Sequence, residues 1–235
     1  MTYPLRNLVP WGRNFDEYTK MFGLTDTELT GRIAGFGDGP ASFNAECCQQ
    51  GGHVTSFDPI YRHPLDKVQV CLCEAKRRML GEAEKNPFHD IKTATITIDE
   101  IEKHHQNATR IFFDDFEEGK KQGRYIGHEL PYRIPFQDGT FDLGLSSHFL
   151  MLYPKLGINF HFQAMEEMLR TCHEIRVFPI MNQSGKHTGL TDKVIGHFCD
   201  DYKVRLLEAA CHFMNGGNQM LVISKRDETG TSMPN

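Results

Sequence analysis

From Arg32 to Pro59 the chain reads RIAGFGDGPASFNAECCQQGGHVTSFDP. Glycines at 35, 37 and 39 crowd a turn after a short apolar run, and a second such run ends on Asp58. A strand that enters a helix through glycines presents backbone N–H groups with no Cβ to hold a ligand away. An acid closing the next strand can accept hydrogen bonds from ribose hydroxyls. Asp58 lies twenty-one positions after Gly37, close to the roughly 20-residue separation of nucleotide-binding folds. The alternative is a tight turn, with Asp58 capping the segment that follows. Pro40 is predicted to open the first turn of the helix, where it has no N–H to offer a pyrophosphate. A ligand with ribose but no diphosphate therefore fits best.

A second set of reactive side chains is Ser146, Ser147 and His148, at the end of the strand-like run FDLGLSSH. A histidine with its ordinary pKa is a suitable base for an oxygen or carbon acceptor, and a hydrogen-bonded histidine at a strand end is the other reading of His148. Arg13 and Tyr18, with Trp11, precede the first strand, where a helix could fold over a ligand. Arg13 is a candidate for a ligand carboxylate or an acidic substrate, or else a surface arginine. His104-His105 and the acids of FFDDFEEG read as solvated helix faces. The histidines show no metal-ligand spacing such as HExxH. The seven cysteines lack zinc spacing, and their odd number suits a reducing compartment. Cys71 and Cys73 fall on different faces of a helix and read as buried thiols.

The elements that must position these groups alternate. NFDEYTKMFGL and TDTELTGR are predicted helices with caps at Asn14 and at Thr25 or Asp26. Strands at 32–36 and 53–57 flank a helix over about 42–50 that stops at Gly51-Gly52. Residues 64–122 read as a long helical passage; TATITI inside it alternates like a strand, with part of it absorbed by the helix that follows, and RYIGH is the next strand. Then come FDLGLSSH, the amphipathic NFHFQAMEEMLRTC, the strand EIRVFPI, the helix LTDKVIGHFCDD, and two strands, KVRLLEAACHF and NQMLVISK, around MNGG. Strands alternating with helices imply an α/β, Rossmann-like, doubly wound sheet of seven mostly parallel strands with a C-terminal antiparallel hairpin. The 235 residues suit a single domain with an N-terminal helical cap over 1–30 and a helical insertion over 64–122, between strands two and three. That insertion is either a lid over the acceptor pocket or a packing or dimer surface.

IAGFGDGPASF followed by VTSFDP resembles motif I and the second-strand acid of class I S-adenosylmethionine-dependent methyltransferases. ELPYRIPFQDGTFDLGLSSHFLMLY resembles the stretch around that family's fourth strand. The chain is also similar to a group of uncharacterised bacterial proteins of that superfamily, in VPWGRNFDEYTKMF and GGNQML among other stretches. The resemblance implies S-adenosyl-L-methionine as cofactor and S-adenosyl-L-homocysteine as product. It implies Gly37, Asp38 and Gly39 beneath the methionine and ribose, and Asp58 on the ribose hydroxyls. It also implies Glu129 and Leu130 near the adenine, with His128 as a rival, and Ser146, Ser147 and His148 facing the sulfonium. The chain departs from the family at Gly35, where an acid is common, and at Ala41, where the third glycine is common.

The reading that results is methyl transfer to a small molecule by in-line displacement, with cofactor contacts from Gly37, Asp38, Gly39, Asp58, Glu129, Leu130 and Ser146. His148 is the candidate base, and Arg13, Tyr18 and Ser147 are candidate substrate contacts. A net charge of −5 gives no electrostatic reason for a polyanionic partner, and SSHF stands where base-modifying enzymes carry Asn/Asp-Pro-Pro-aromatic. A nucleic-acid methyltransferase, a nicotinamide oxidoreductase and a non-catalytic cofactor-binding protein are the rivals. With no apolar leader and no membrane-length apolar run, the expected location is the cytoplasm, with no metal and no membrane partner.

Overall fold

A computed structural model describes residues 12–85, 98–211 and 217–226. Asn14 opens helix α1 (Phe15–Phe22) with a reciprocal capping box to Glu17, and Thr25 does the same for α2 (Asp26–Leu29) with Glu28. Strand β1 (Arg32–Phe36) runs into the glycine turn, then α3 (Phe43–Gln49) and β2 (His53–Phe57). The insertion supplies α4 (Leu65–Lys85) and α5 (Ile98–Lys121), and β3 follows at Tyr125–Ile126. The second half is β4 (Phe141–Ser147), α6 (Ile158–Thr171), β5 (Cys172–Phe178), α7 (Leu190–Phe198), β6 (Tyr202–Glu208) and β7 (Gln219–Lys225).

Among the described residues seven strands form one sheet in the order β3-β2-β1-β4-β5-β7-β6. The pairs from β3 to β5 are parallel, and β7 enters antiparallel between β5 and β6. Both sheet faces are buried, so the central strands are apolar throughout rather than alternating. On one face Tyr18, Met21 and Phe22 of α1 and Phe43 and Cys47 of α3 pack against Ile33, Val54, Leu143 and Leu145. On the other, Met165, Met168 and Leu169 of α6 and Val194 and Phe198 of α7 meet Ala34, Phe36, Ile175 and Val177. The insertion has its own apolar seam. Val68 and Leu72 of α4 and Phe112 and Phe116 of α5, at helical spacing, close over Tyr61 and Tyr125.

Several expectations change. RYIGH is a strand only at Tyr125–Ile126, because its pairing with β2 extends no further than Ser56 and Phe57. Cys73 is exposed and Cys71 half-buried, since the apolar stripe of α4 runs through Val68, Leu72 and Ala75 instead. His105 is buried rather than solvated. Asp115 is also drawn inward, to the guanidinium of Arg124 at 2.7 Å. TATITI and Trp11 lie outside the described residues. Among the described residues no helix is long and apolar enough to cross a membrane.

Candidate active site

Strand order reverses between the parallel β1 and β4, which leaves a crevice at their carboxyl ends where open α/β sheets take ligands. The glycine turn lies there. Gly37 has φ +74° and Gly39 φ +55°, values that side chains other than glycine's rarely adopt. The Gly37 amide donates to Phe57 O at 2.9 Å. The Gly39 amide donates to Asp58 Oδ2 at 3.0 Å, and Ile60 N donates to Oδ1 at 2.9 Å. The predicted meeting of the turn with the second-strand acid is therefore present. A Cβ built on Gly39 would meet nothing within 4 Å, so the space above it is open. Above Gly37 stands the ring of Phe149, 2.8 Å from such a Cβ. Burial raises Asp58 to about 6, the amides of Ile60 and Gly39 oppose the rise, and nearby Asp38 adds to it.

Pro40 does not open a helix. It lies in the turn, and α3 begins only at Phe43. The amides between are engaged locally: Ala41 N donates to Asp38 O and Ser42 N to Arg13 O. The helix start thus presents fewer open N–H groups than its sequence suggests.

Asp38 turns away from the crevice. Its carboxylate accepts from Tyr18 Oη at 2.7 Å and Ser56 Oγ at 2.6 Å. A Cβ on Gly35 would fall 1.8 Å from Asp38 Oδ2. The acid missing from position 35 is thus replaced in space by one from position 38. Burial raises Asp38 to about 6 although both hydroxyls stabilise its charge. Tyr18 is 0% exposed and stacks on Phe43 at 4.3 Å, so it supports the turn from below. As a substrate contact it is corrected: its phenol faces Asp38.

At the end of β4, Ser146 and Ser147 are buried, and Ser146 Oγ has no hydrogen-bond partner. His148 has φ 53°, a left-handed conformation held by its amide on Phe178 O at 2.7 Å. Its Nδ1 lies 2.8 Å from Ser147 Oγ and its Nε2 3.3 Å from an Arg13 nitrogen. A guanidinium can only donate, so Nε2 accepts and the proton of the neutral ring sits on Nδ1. Burial, then Arg13 and His105, holds this imidazole well below the usual histidine range. Arg13 also pairs with Glu17 at 2.7 Å.

Two residues of this neighbourhood were given no part in the site by the sequence. His105 of α5 bonds Gly12 O through Nδ1 at 3.0 Å, so the insertion clasps the segment crossing the turn. Phe149 is the other; its place in SSHF gives no sign that it covers Gly37. Glu129 pairs with Arg62 at 3.7 Å and Leu130 packs in the main core. His128 bonds Tyr132 O at 2.9 Å. A cavity of about 140 Å³ is lined by Pro179–Met181, His187 and Gly217–Gln219, and by none of the turn residues or His148.

The strand order makes this an α/β, Rossmann-like sheet, mostly parallel with an antiparallel C-terminal hairpin. No protein-family model matches the sequence. The chain is 34% identical to the uncharacterised protein MJ0045 of Methanocaldococcus jannaschii over 227 residues, 94% of this chain and 98% of that protein. It belongs to that protein's family. Solved structures similar to it include magnesium protoporphyrin IX methyltransferase from Synechocystis PCC 6803 with bound SAM, at 12% identity over 86% of this chain and 73% of that one, TM-score 0.43. The methyltransferase domain of bacterial CtHen1-CN matches at 13% over 86% and 94%, TM-score 0.46. A SAM-dependent methyltransferase from Aquifex aeolicus matches at 12% over 95% and 93%, TM-score 0.41.

Proposed function

We propose that the protein is a cytoplasmic S-adenosyl-L-methionine-dependent methyltransferase acting on a small molecule and releasing S-adenosyl-L-homocysteine. The observation that carries this reading is the 3.0 Å contact between the Gly39 amide and Asp58 at the carboxyl edge of the sheet. It sets a carboxylate for ribose hydroxyls beside a turn with open space above Gly39. The orphaned Ser146 Oγ at the neighbouring strand end supplies a further polar group in want of a partner. Gly37, Gly39, Asp58 and Ser146 would hold the cofactor, with Glu129 and Leu130 beyond β3; Asp38 contributes its backbone and braces the turn.

When bound, S-adenosylmethionine supplies a methyl group activated by its sulfonium charge. The chain's task is then to position an acceptor and exclude water. His148, which burial keeps uncharged and makes a weaker base than an ordinary histidine, would take an acceptor proton at Nε2 once Arg13 yields that position to the acceptor. Arg13 keeps Glu17 as its partner. The net charge of −5 favours a small acceptor over a nucleic acid.

The test is transfer of labelled methyl from S-adenosylmethionine to separated cell fractions. Label is expected in the low-mass metabolites. Label confined to RNA or DNA would replace the small-molecule reading, and binding without transfer to any fraction would mark a cofactor-holding protein.

A further inference from the structure

Gly39 is gripped at both its backbone polar atoms by one short segment. Its N–H donates to Asp58 Oδ2 at 3.0 Å, and its C=O accepts from Tyr61 Oη at 2.7 Å. A carbonyl can only accept, so the phenol is the donor. Asp58 caps the 3-10 turn Pro59–Arg62 that carries Tyr61. Ile60 N donates to Asp58 Oδ1 at 2.9 Å and Tyr61 N to Asp58 O at 3.2 Å, so the two gripping side chains are tied to each other. Tyr61 is 1% exposed. Burial, with Asp38 and Asp58 nearby, raises its phenol well above the usual range and keeps the proton it donates. The insertion fixes its ring. Phe112 and Phe116 of α5 lie with their centroids 6.0 Å away, Tyr125 of β3 lies 5.3 Å away, and Val68 and Leu72 of α4 join the same cluster. The passage between β2 and β3 thus reaches the glycine turn through one hydroxyl.

Gly39 needs such a hold. Its φ of +55° is one of several conformations open to a glycine, and a Cβ there would meet nothing within 4 Å. Asp58 has two duties, since its oxygens must also meet ribose hydroxyls. When they do, the bond from the Gly39 N–H weakens, and the bond from Tyr61 to the Gly39 carbonyl keeps the turn in place. We propose that Tyr61 is a positioning residue for the cofactor, holding Gly39 in its left-handed conformation while Asp58 engages the ribose, and that the insertion serves cofactor binding through it. The identity of the cofactor rests on the methyl-transfer reading; the hold on the turn does not. Tyr61 acts through Gly39 and touches neither cofactor nor acceptor. Apparent affinity scales with the fraction of molecules whose turn is already formed. A buried carbonyl left without its donor shifts such an equilibrium by about tenfold. S-adenosylmethionine and S-adenosylhomocysteine share the ribose, so both should weaken alike.

Tyr61→Phe removes the hydroxyl and leaves the ring. Calorimetry should give Kd values for S-adenosylmethionine and S-adenosylhomocysteine that are both about tenfold weaker than those of the native protein. In the ligand-free protein, NMR hydrogen exchange at the Gly39 amide should become at least about tenfold faster, while that of Ile33 in β1 stays unchanged. Phe112→Leu loosens the same aromatic cluster but keeps the hydroxyl. It should lower the urea midpoint and leave both Kd values within about twofold, a split that a purely packing role for Tyr61 would not produce. Kd values in Tyr61→Phe within about twofold of native, an equal loss of affinity in Phe112→Leu, or unchanged exchange at Gly39 would each overturn the proposal and leave the methyl-transfer reading standing. If the native protein binds neither sulfur compound, that reading fails instead, and the exchange at Gly39 alone decides whether Tyr61 sets the turn.

Discussion

Gly35→Ala tests the way this turn is built. A methyl at position 35 would lie 1.8 Å from Asp38 Oδ2 and 2.6 Å from its carboxyl carbon, so the carboxylate must leave its seat. It would abandon the bonds from Tyr18 and Ser56, both 0% exposed. Hydrogen bonds to a charged group are worth about 1.5–3 kcal/mol each, so the gross loss is about 3–6 kcal/mol. Rehydrating the carboxylate returns roughly half, because its burial is costly enough to raise its pKa to about 6 against both bonds. The net cost should be about 2–3 kcal/mol, or a drop of about 1 M in the urea midpoint. In an Asp38→Ala background there is no carboxylate to strike. The same Gly35→Ala change should then cost less than about 1 kcal/mol, giving a coupling of roughly 2 kcal/mol. Urea unfolding of the four proteins measures it. Costs that add to within about 0.5 kcal/mol would show that Asp38 does not fill the space beside Gly35.

Other outcomes follow from the same geometry. Asp38 and Asp58 are raised to about 6 from 3.8, so between those values the folded state holds more protons than the unfolded chain, and their contribution to stability falls as pH rises from about 4 to 6. Asp58→Asn should accordingly gain on the native protein by about 1–3 kcal/mol between pH 4 and 7 in urea titrations, and a constant difference would contradict the assigned burial. Over the same range, affinity for S-adenosylmethionine should weaken as pH drops below about 6, since a neutral carboxyl accepts hydrogen bonds less well than a carboxylate; calorimetry would read this. Gly37→Ala should destabilise the fold by about 1–3 kcal/mol, because φ is +74° and the Phe149 ring blocks the methyl; combining it with Phe149→Ala should recover only the part due to the ring. His105→Ala removes the bond to Gly12 O and should speed hydrogen exchange in the crossing segment around Arg13 without moving that of β5.

The chain order of elements was legible because both periodicities are strong. The apolar spacing of α4 through α7, and the apolar β1, β4 and β5, admit few other readings, and the caps at Asn14 and Thr25 lie where the residue types place them. The turn-to-acid contact was legible for the same reason: glycine spacing and the length of one β-α-β unit fix it. What sequence left out depends on side chains meeting across long separations. Asp38 lies next to the turn in sequence, yet its inward orientation depends on Tyr18, Ser56 and the absence of a side chain at 35. Nothing near His105 signals Gly12, ninety-three residues away, as its partner. RYIGH looked like a longer strand because its local pattern is sound, but pairing stops where β2 ends.

The central claim is tested most directly by measuring the thermal stabilisation of the native protein and of Asp58→Ala by S-adenosylmethionine, S-adenosylhomocysteine and NAD. Ligand that binds only the folded state raises stability by RT ln(1 + [L]/Kd). The native protein should respond to both sulfur compounds and not to NAD, and Asp58→Ala should lose roughly tenfold or more in affinity, as removal of a charged hydrogen-bond acceptor entails. A response to NAD alone, or binding of S-adenosylmethionine that Asp58→Ala leaves unchanged, would contradict the account.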